Sequence, residues 1–143
     1  MTKTLADIAE IMRDIDFTML STKTADGGIA ARPMSNNRDV DYDGDSWFFA
    51  LDTTHTVHEI GADPNVGLTL HGNKGLLGKP PIFIAAEGKA EIIRDKAAFE
   101  EHWVKDLDRW FEQGVDTPGL VLIKVHADRV HYWDGEDQGE VRL

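Results

Sequence analysis

Apolar positions recur with two different periods along the chain. Near the N-terminus they follow helical spacing, which predicts an amphipathic helix over residues 4–15. β-rich segments bounded by Gly, Asp and Pro turns come next and predict short strands. A second helical stripe predicts a long helix over residues 95–112, with Asp95 as its N-cap. The predicted strands cover 17–22, 29–34, 46–51, 66–71, 82–93, 120–125 and 129–133, and a short helix covers 54–62.

The predicted strands outnumber the helices and do not alternate with them regularly, which argues against a doubly wound parallel sheet. We therefore predict a mainly β (α+β) fold, a six- to seven-stranded antiparallel barrel with peripheral helices. The loop 72–81 holds three glycines and two prolines, so no regular element is expected there. We expect a single domain over residues 1–143, with a loosely ordered polar tail at 134–143.

The amino-acid composition limits the classes of protein to which this chain can belong. Of the 143 residues, 41% are apolar and 29% charged, as in soluble globular domains. No apolar stretch reaches the roughly 18 residues of a membrane span, and the first residues lack a signal-peptide core, so we expect a cytoplasmic protein. The absence of cysteine excludes disulfides and thiolate metal sites. A net charge of −11 argues against nucleic-acid binding.

The segment 47–60 carries the strongest functional signal. An aromatic strand runs into Thr53, Thr54 and His55, and then into the start of the predicted short helix. Unpaired N–H groups at a helix start bind phosphate well, and threonine hydroxyls add donors. Aromatic residues before them suit a planar ring. The pattern indicates a flavin nucleotide, although helix capping explains the two threonines equally well.

Two other patterns favour structural over functional interpretations. His55 and His58, with Glu59 beside them, offer two nitrogens and an oxygen, but no third ligand follows at metal-site spacing, so we predict no metal. Trp103 and Trp110 share a helical stripe with apolar residues, which is more typical of a core than of a cofactor site.

An ordered set of motifs gives a more specific indication. Ala31-Arg32-Pro33-Met34, Trp47-Phe48-Phe49-Ala50 and Asp63-Pro64-Asn65-Val66-Gly67-Leu68 follow one another at family-like spacing. The chain thereby resembles the pyridoxamine 5′-phosphate oxidase-like proteins, and within them the general stress protein subfamily of FMN-binding split β-barrels. The resemblance covers roughly residues 5–135.

This resemblance implies a homodimer with FMN at the subunit interface. By position, Arg32 corresponds to the arginine that reaches the flavin or its phosphate, and Thr54, His55 and Thr56 take the place of the phosphate-binding triplet Ser-Arg-Lys. Ring contacts are implied from β segments and from the late helix. They comprise Pro33, Met34, Phe48, Phe49, Ala50, Trp103 and Trp110.

The triplet departs from the family pattern. Arginine and lysine bring two charges to a phosphate dianion, whereas Thr54, His55 and Thr56 bring hydroxyls and one imidazole. Charge-assisted hydrogen bonds contribute about 1.5–3 kcal/mol and neutral ones about 0.5–1.5 kcal/mol. We therefore expect phosphate binding to be weaker than in the oxidases by about one to three orders of magnitude, and we do not expect oxidation of pyridoxamine 5′-phosphate.

Three functions follow from these patterns. The favoured one is an FMN-binding flavoprotein with redox capacity, and whether it is an enzyme stays open. The alternative is a non-catalytic protein that binds or sequesters a flavin or another ligand. The third is a related fold with FAD, a deazaflavin or haem, for which His71 or His126 would be the haem ligand.

Overall fold

The computed structural model describes residues 2–36, 41–73 and 76–143, so part of the predicted loop 72–81 lies outside the described residues. Within them the chain forms helices and strands in the α+β order that the sequence predicts. The helices are α1 (Leu5–Met12), α2 (His55–Ala62) and α3 (Lys96–His102), with 3₁₀ segments at Leu76–Gly78, Lys105–Arg109 and Gly114–Asp116. The strands are β1 (Phe17–Lys23), β2 (Ile29–Ser35), β3 (Asp45–Leu51), β4 (Asn65–His71), β5 (Phe83–Ile93), β6 (Leu120–Asp134) and β7 (Asp137–Arg142).

All seven strands pair antiparallel in one sheet, in the order β2-β1-β4-β5-β6-β3, with β7 on the second half of β6. Among the described strands, β2 and β3 stand at the two ends of this order and each pairs along one edge only. The sheet is therefore not closed, and the antiparallel split-barrel prediction is confirmed with seven strands. No helix in the described ranges has the length and apolarity needed to cross a membrane.

The two late strands predicted at 120–125 and 129–133 are one continuous strand, β6. The register between β5 and β6 shifts at Gly88, where a Cβ would lie 2.1 Å from the carbonyl oxygen of His126. This close approach requires glycine and lets β6 continue past the irregularity.

The polar tail predicted to be loosely ordered forms β7, which corrects that prediction. Tyr132 of β6 pairs with Gly139, and a Cβ at Gly139 would lie 2.4 Å from the Tyr132 hydroxyl oxygen. The strand is ordered by its pairing with β6, which the polar composition of the tail does not reveal.

The helix predicted over 95–112 is also shorter than expected. Asp95 caps it, accepting a hydrogen bond from the Ala97 amide at 3.3 Å, but the helix ends at His102. Trp103 has extended backbone angles (φ −70°, ψ 135°), and the Lys105–Arg109 segment follows as a 3₁₀ turn. The Trp103 indole N–H donates to the Asp108 carboxylate at 3.0 Å, which holds the chain in this bend.

Two hydrophobic clusters stabilise the fold. The larger cluster joins residues of α1, α2 and six of the strands, with Leu20, Leu68, Ile123 and Tyr132 fully buried. The smaller cluster lies between β3, β6 and the α3 region and is built on Phe49, Phe99, Leu120 and Leu122.

Candidate functional site

A cavity of about 270 Å³ lies where the sheet is open, between the two end strands β2 and β3. Strand β1 supplies one further wall residue, and the turn after α3 closes the opposite side. The lining residues are Phe17, Pro33, Met34, Ser35, Phe48, Phe49, Leu107, Trp110 and Phe111.

Strand β3 contributes side chains from both of its faces. Phe48 belongs to the larger hydrophobic cluster and Phe49 to the smaller one, because successive side chains of a strand point to opposite faces. Both nevertheless line the cavity. The reason is that the cavity lies at the unpaired edge of β3, where residues from the two faces meet.

The turn after α3 brings aromatic residues to the cavity because the helix breaks. Trp110 is 59% exposed at the rim, with the Arg109 guanidinium carbon 5.7 Å from its ring centroid. Trp103 lies deeper, edge-on to Phe49 at 4.9 Å between ring centroids, and it does not line the cavity. Of the two predicted tryptophans, the structure therefore places only Trp110 on the cavity wall.

The cavity is apolar. Among the described lining residues, only the Ser35 hydroxyl and the Trp110 indole N–H are polar side-chain groups, and none of the side chains is ionisable. A site of this chemistry suits an uncharged planar ring and disfavours a charged group, because burying an unpaired charge is costly.

Arg32 does not line this cavity. Its Nη1 donates to the Thr22 hydroxyl at 2.6 Å, and its Nη2 forms an ion pair with a Glu59 carboxylate oxygen at 3.0 Å. The arginine thus connects β2 to α2.

The predicted phosphate triplet lies at the start of α2. The Thr54 hydroxyl caps the helix, accepting from the Val57 amide at 3.4 Å and donating to the Leu51 carbonyl at 2.8 Å. His55 is exposed and Thr56 is buried. Capping therefore occupies part of the hydroxyl set that the sequence assigns to an anion.

The remaining predicted residues are placed as follows. Ala50 is buried in the larger cluster, away from the cavity wall. Within the described ranges no group of three or more His, Asp or Glu side chains is arranged to hold a metal ion. Of the histidines considered for haem, His126 contacts Asp45 at 2.6 Å and His71 contacts the Gly72 carbonyl at 3.1 Å through Nδ1.

An exposed apolar surface, here called the outer face, lies on one face of the sheet. Phe17, Met19, Phe83 and Trp133 are each exposed on it. Met19 pairs with Thr69 and Thr69 with Ala85, while Phe83, two residues before Ala85, pairs with Trp133. Side-chain alternation therefore puts the four exposed residues on the same face of the sheet. Phe17 belongs to both the outer face and the cavity wall.

Sequence reasoning missed several wall residues: Phe17, Ser35, Leu107 and Phe111. A signal existed for three of them. Leu107 and Phe111 share the apolar stripe of the predicted late helix. Phe17 also stood out as an aromatic residue on the polar side of β1. Ser35 had no such signal.

Sequence comparison finds relatives of this chain. The family described as Pyridoxamine 5′-phosphate oxidase like matches residues 3–142. The chain is also 28% identical to General stress protein 26 of Bacillus subtilis (strain 168) over 90 residues, which are 63% of this chain and 62% of that protein. That match therefore spans less than two thirds of the relative.

Solved structures share the fold. The crystal structure of General Stress Protein 26 from Bacillus anthracis str. Sterne matches with a TM-score of 0.75 and 26% identity, over 95% of both chains. A heme binding protein from Mycobacterium smegmatis matches with a TM-score of 0.77 at 15% identity, over 99% of this chain and 59% of the other. At that identity the second likeness concerns the fold alone.

Proposed function

The chain belongs to the pyridoxamine 5′-phosphate oxidase-like family, and from this premise we propose that it is an FMN-binding flavoprotein of the general stress protein type. The observation that carries the proposal is the apolar cavity between β2 and β3. It gathers five of the residues predicted for ring contact: Pro33, Met34, Phe48, Phe49 and Trp110.

The cavity fits the ring system of a flavin better than a whole nucleotide. Sites for drug-sized ligands have volumes of about 300–1,000 Å³, and this cavity, at about 270 Å³, lies just below that range. Aromatic walls stack against a planar ring, and the unpaired edge of β3 offers backbone groups to its polar rim. The phosphate then lies outside the cavity, toward the start of α2.

We propose that two copies assemble through the outer face. The outer face groups four large exposed apolar side chains, whereas apolar residues on a monomer's surface are usually scattered singly. Such groups mark interfaces, and the four are Phe17, Met19, Phe83 and Trp133. Since Phe17 also lines the cavity, a partner on the outer face would border the flavin site.

A bound flavin supplies one- and two-electron transfer. The residues of this chain would orient the ring and exclude water from it. No described wall residue has the pKa range of a general acid or base, so protons would come from solvent or from the substrate. This absence among the described wall residues also favours the second candidate, a non-catalytic flavin carrier.

Titration of the apo-protein with FMN and with riboflavin, followed by fluorescence quenching and calorimetry, tests the proposal. We expect saturable binding of both flavins, because both carry the ring. Binding of neither would overturn the proposal, and a Soret band on addition of haem would then point to a different ligand. Reduction of the bound flavin by NADH or NADPH faster than that of free FMN would identify an enzyme and exclude the pure carrier.

A further inference from the structure

We propose that Glu59 sets the ligand preference of the phosphate end, by competing with the ligand's phosphate for Arg32. The proposal rests on flavin binding as proposed above. It assigns to a single carboxylate the discrimination between a phosphorylated flavin and an unphosphorylated one.

Three side chains form a closed set of contacts. Arg32 donates to Glu59 Oε1 at 3.0 Å and to Thr22 Oγ1 at 2.6 Å, and the Thr22 hydroxyl donates to the same Glu59 oxygen at 2.8 Å. The guanidinium is therefore held toward α2 by a carboxylate of opposite charge, and its charge is neutralised locally.

The contacts are sheltered from solvent. The Arg32 and Glu59 side chains are 21% and 16% exposed, and Thr22 is buried. By contrast, the Arg94–Asp52 pair, also near the start of α2, is 59% and 46% exposed. Since shielding by water and salt is weaker at the Arg32 pair, its electrostatic effect on a neighbouring anion is larger.

The pair also lies close to the predicted phosphate triplet. Glu59 follows His55 by four residues on α2, and residues four apart on a helix lie on the same side with Cβ atoms about 5–6 Å apart. A phosphate at the start of α2 thus meets a carboxylate within one helical turn. It must either draw Arg32 away from Glu59 or bind beside a like charge, in a chain whose net charge is already −11.

The consequence is a low preference for FMN over riboflavin in the natural chain. Glu59→Gln tests this directly, because glutamine keeps the carbonyl that accepts from Arg32 and Thr22 and removes only the charge. We expect FMN to bind the variant about tenfold more tightly or better, the range of one charge-assisted hydrogen bond. Riboflavin affinity should stay within about twofold, since riboflavin has no phosphate.

The control variant is Asp134→Asn, which removes a carboxylate at the end of β6 that pairs with Lys3 at 3.2 Å. Its FMN affinity should match that of the natural chain. An equal gain in Asp134→Asn would show a general charge effect and overturn the proposal. In Arg32→Ala combined with Glu59→Gln the gain should disappear, and its persistence would also overturn the proposal.

The outcomes separate this inference from the proposed function. If both flavins bind the natural chain and Glu59→Gln leaves FMN affinity unchanged or lowers it, the pair only ties β2 to α2 and the inference alone fails. If neither flavin binds the natural chain or Glu59→Gln, both fail. Thermal unfolding of each variant confirms that affinities are compared between folded proteins.

Discussion

Trp103 packs edge-on against Phe49, with ring centroids 4.9 Å apart, and so joins the bend after α3 to the strand that lines the cavity. Phe111 also packs edge-on against this indole, with ring centroids 5.9 Å apart. The position of the cavity wall thus depends on a tryptophan that does not itself reach the cavity.

Replacing Trp103 with alanine should destabilise the fold by about 2 kcal/mol, because its partly buried indole packs against the smaller hydrophobic cluster. Chemical denaturation measures this loss. We also expect weaker binding of both flavins, since Leu107 and Phe111 lose their support. A stability equal to that of the natural chain would contradict this role.

Trp110→Ala is the matched comparison and should weaken flavin binding without the loss of stability. The side chain is mostly exposed, so the free energy of unfolding should change by no more than about 0.5 kcal/mol. Affinity for FMN and riboflavin should fall together, by about three- to tenfold, because the contact is to the shared ring. A loss confined to FMN would place Trp110 near the phosphate instead.

Gly88→Ala should lower the free energy of unfolding by about 2 kcal/mol or more, because the new Cβ would meet the His126 carbonyl oxygen at 2.1 Å. The control is Gly61→Ala on α2, where nothing lies within 4 Å of an added Cβ. That change should stabilise the chain by about 0.4–1 kcal/mol, since it removes freedom from the unfolded state. Urea denaturation distinguishes the two variants. An unchanged free energy of unfolding in Gly88→Ala would contradict the close approach of β5 and β6 at this position.

Met19→Glu and Phe83→Glu should each convert the proposed dimer into a monomer, because a charge would be buried at the outer face without a partner. Size exclusion with light scattering measures the mass. Ala97→Glu, on the exposed surface of α3, should leave the mass unchanged. A monomeric natural chain at micromolar concentration would refute assembly through this face.

Asp63 should contribute to stability in a pH-dependent way. The Asn65 backbone amide, at 3.0 Å, and then the Asn65 side chain hold the pKa of Asp63 below its ordinary value of 3.8. Because the folded pKa is depressed, the contribution is fully present above that ordinary value and is lost as the pH falls through the folded pKa.

The destabilisation caused by Asp63→Ala, measured by thermal unfolding, should therefore be present at neutral pH and vanish in strong acid. Asp63→Asn keeps an acceptor for the Asn65 amide and should show a smaller effect. A destabilisation that stays constant across the acid range would contradict the assignment.

Local patterns predicted much of this fold correctly. The position of β1 and the caps at Thr54 and Asp95 depend on residues within one turn or one strand, so the sequence displays them directly. The break at Trp103 and the strand β7 were not predictable in this way. Each depends on a partner distant along the chain, namely Phe49 for the tryptophan and β6 for the tail.

The same distinction between local and long-range features applies to the candidate site. The sequence by itself determined the family, the antiparallel strands and the aromatic character of the residues near the proposed flavin, because these follow from residue type and short-range spacing. Only the tertiary structure decided that Phe48 and Phe49 share one cavity and that Arg32 is held by Glu59. The physical reason is that an edge-strand cavity and an ion pair between β2 and α2 arise from distances in space, on which spacing along the chain places no constraint.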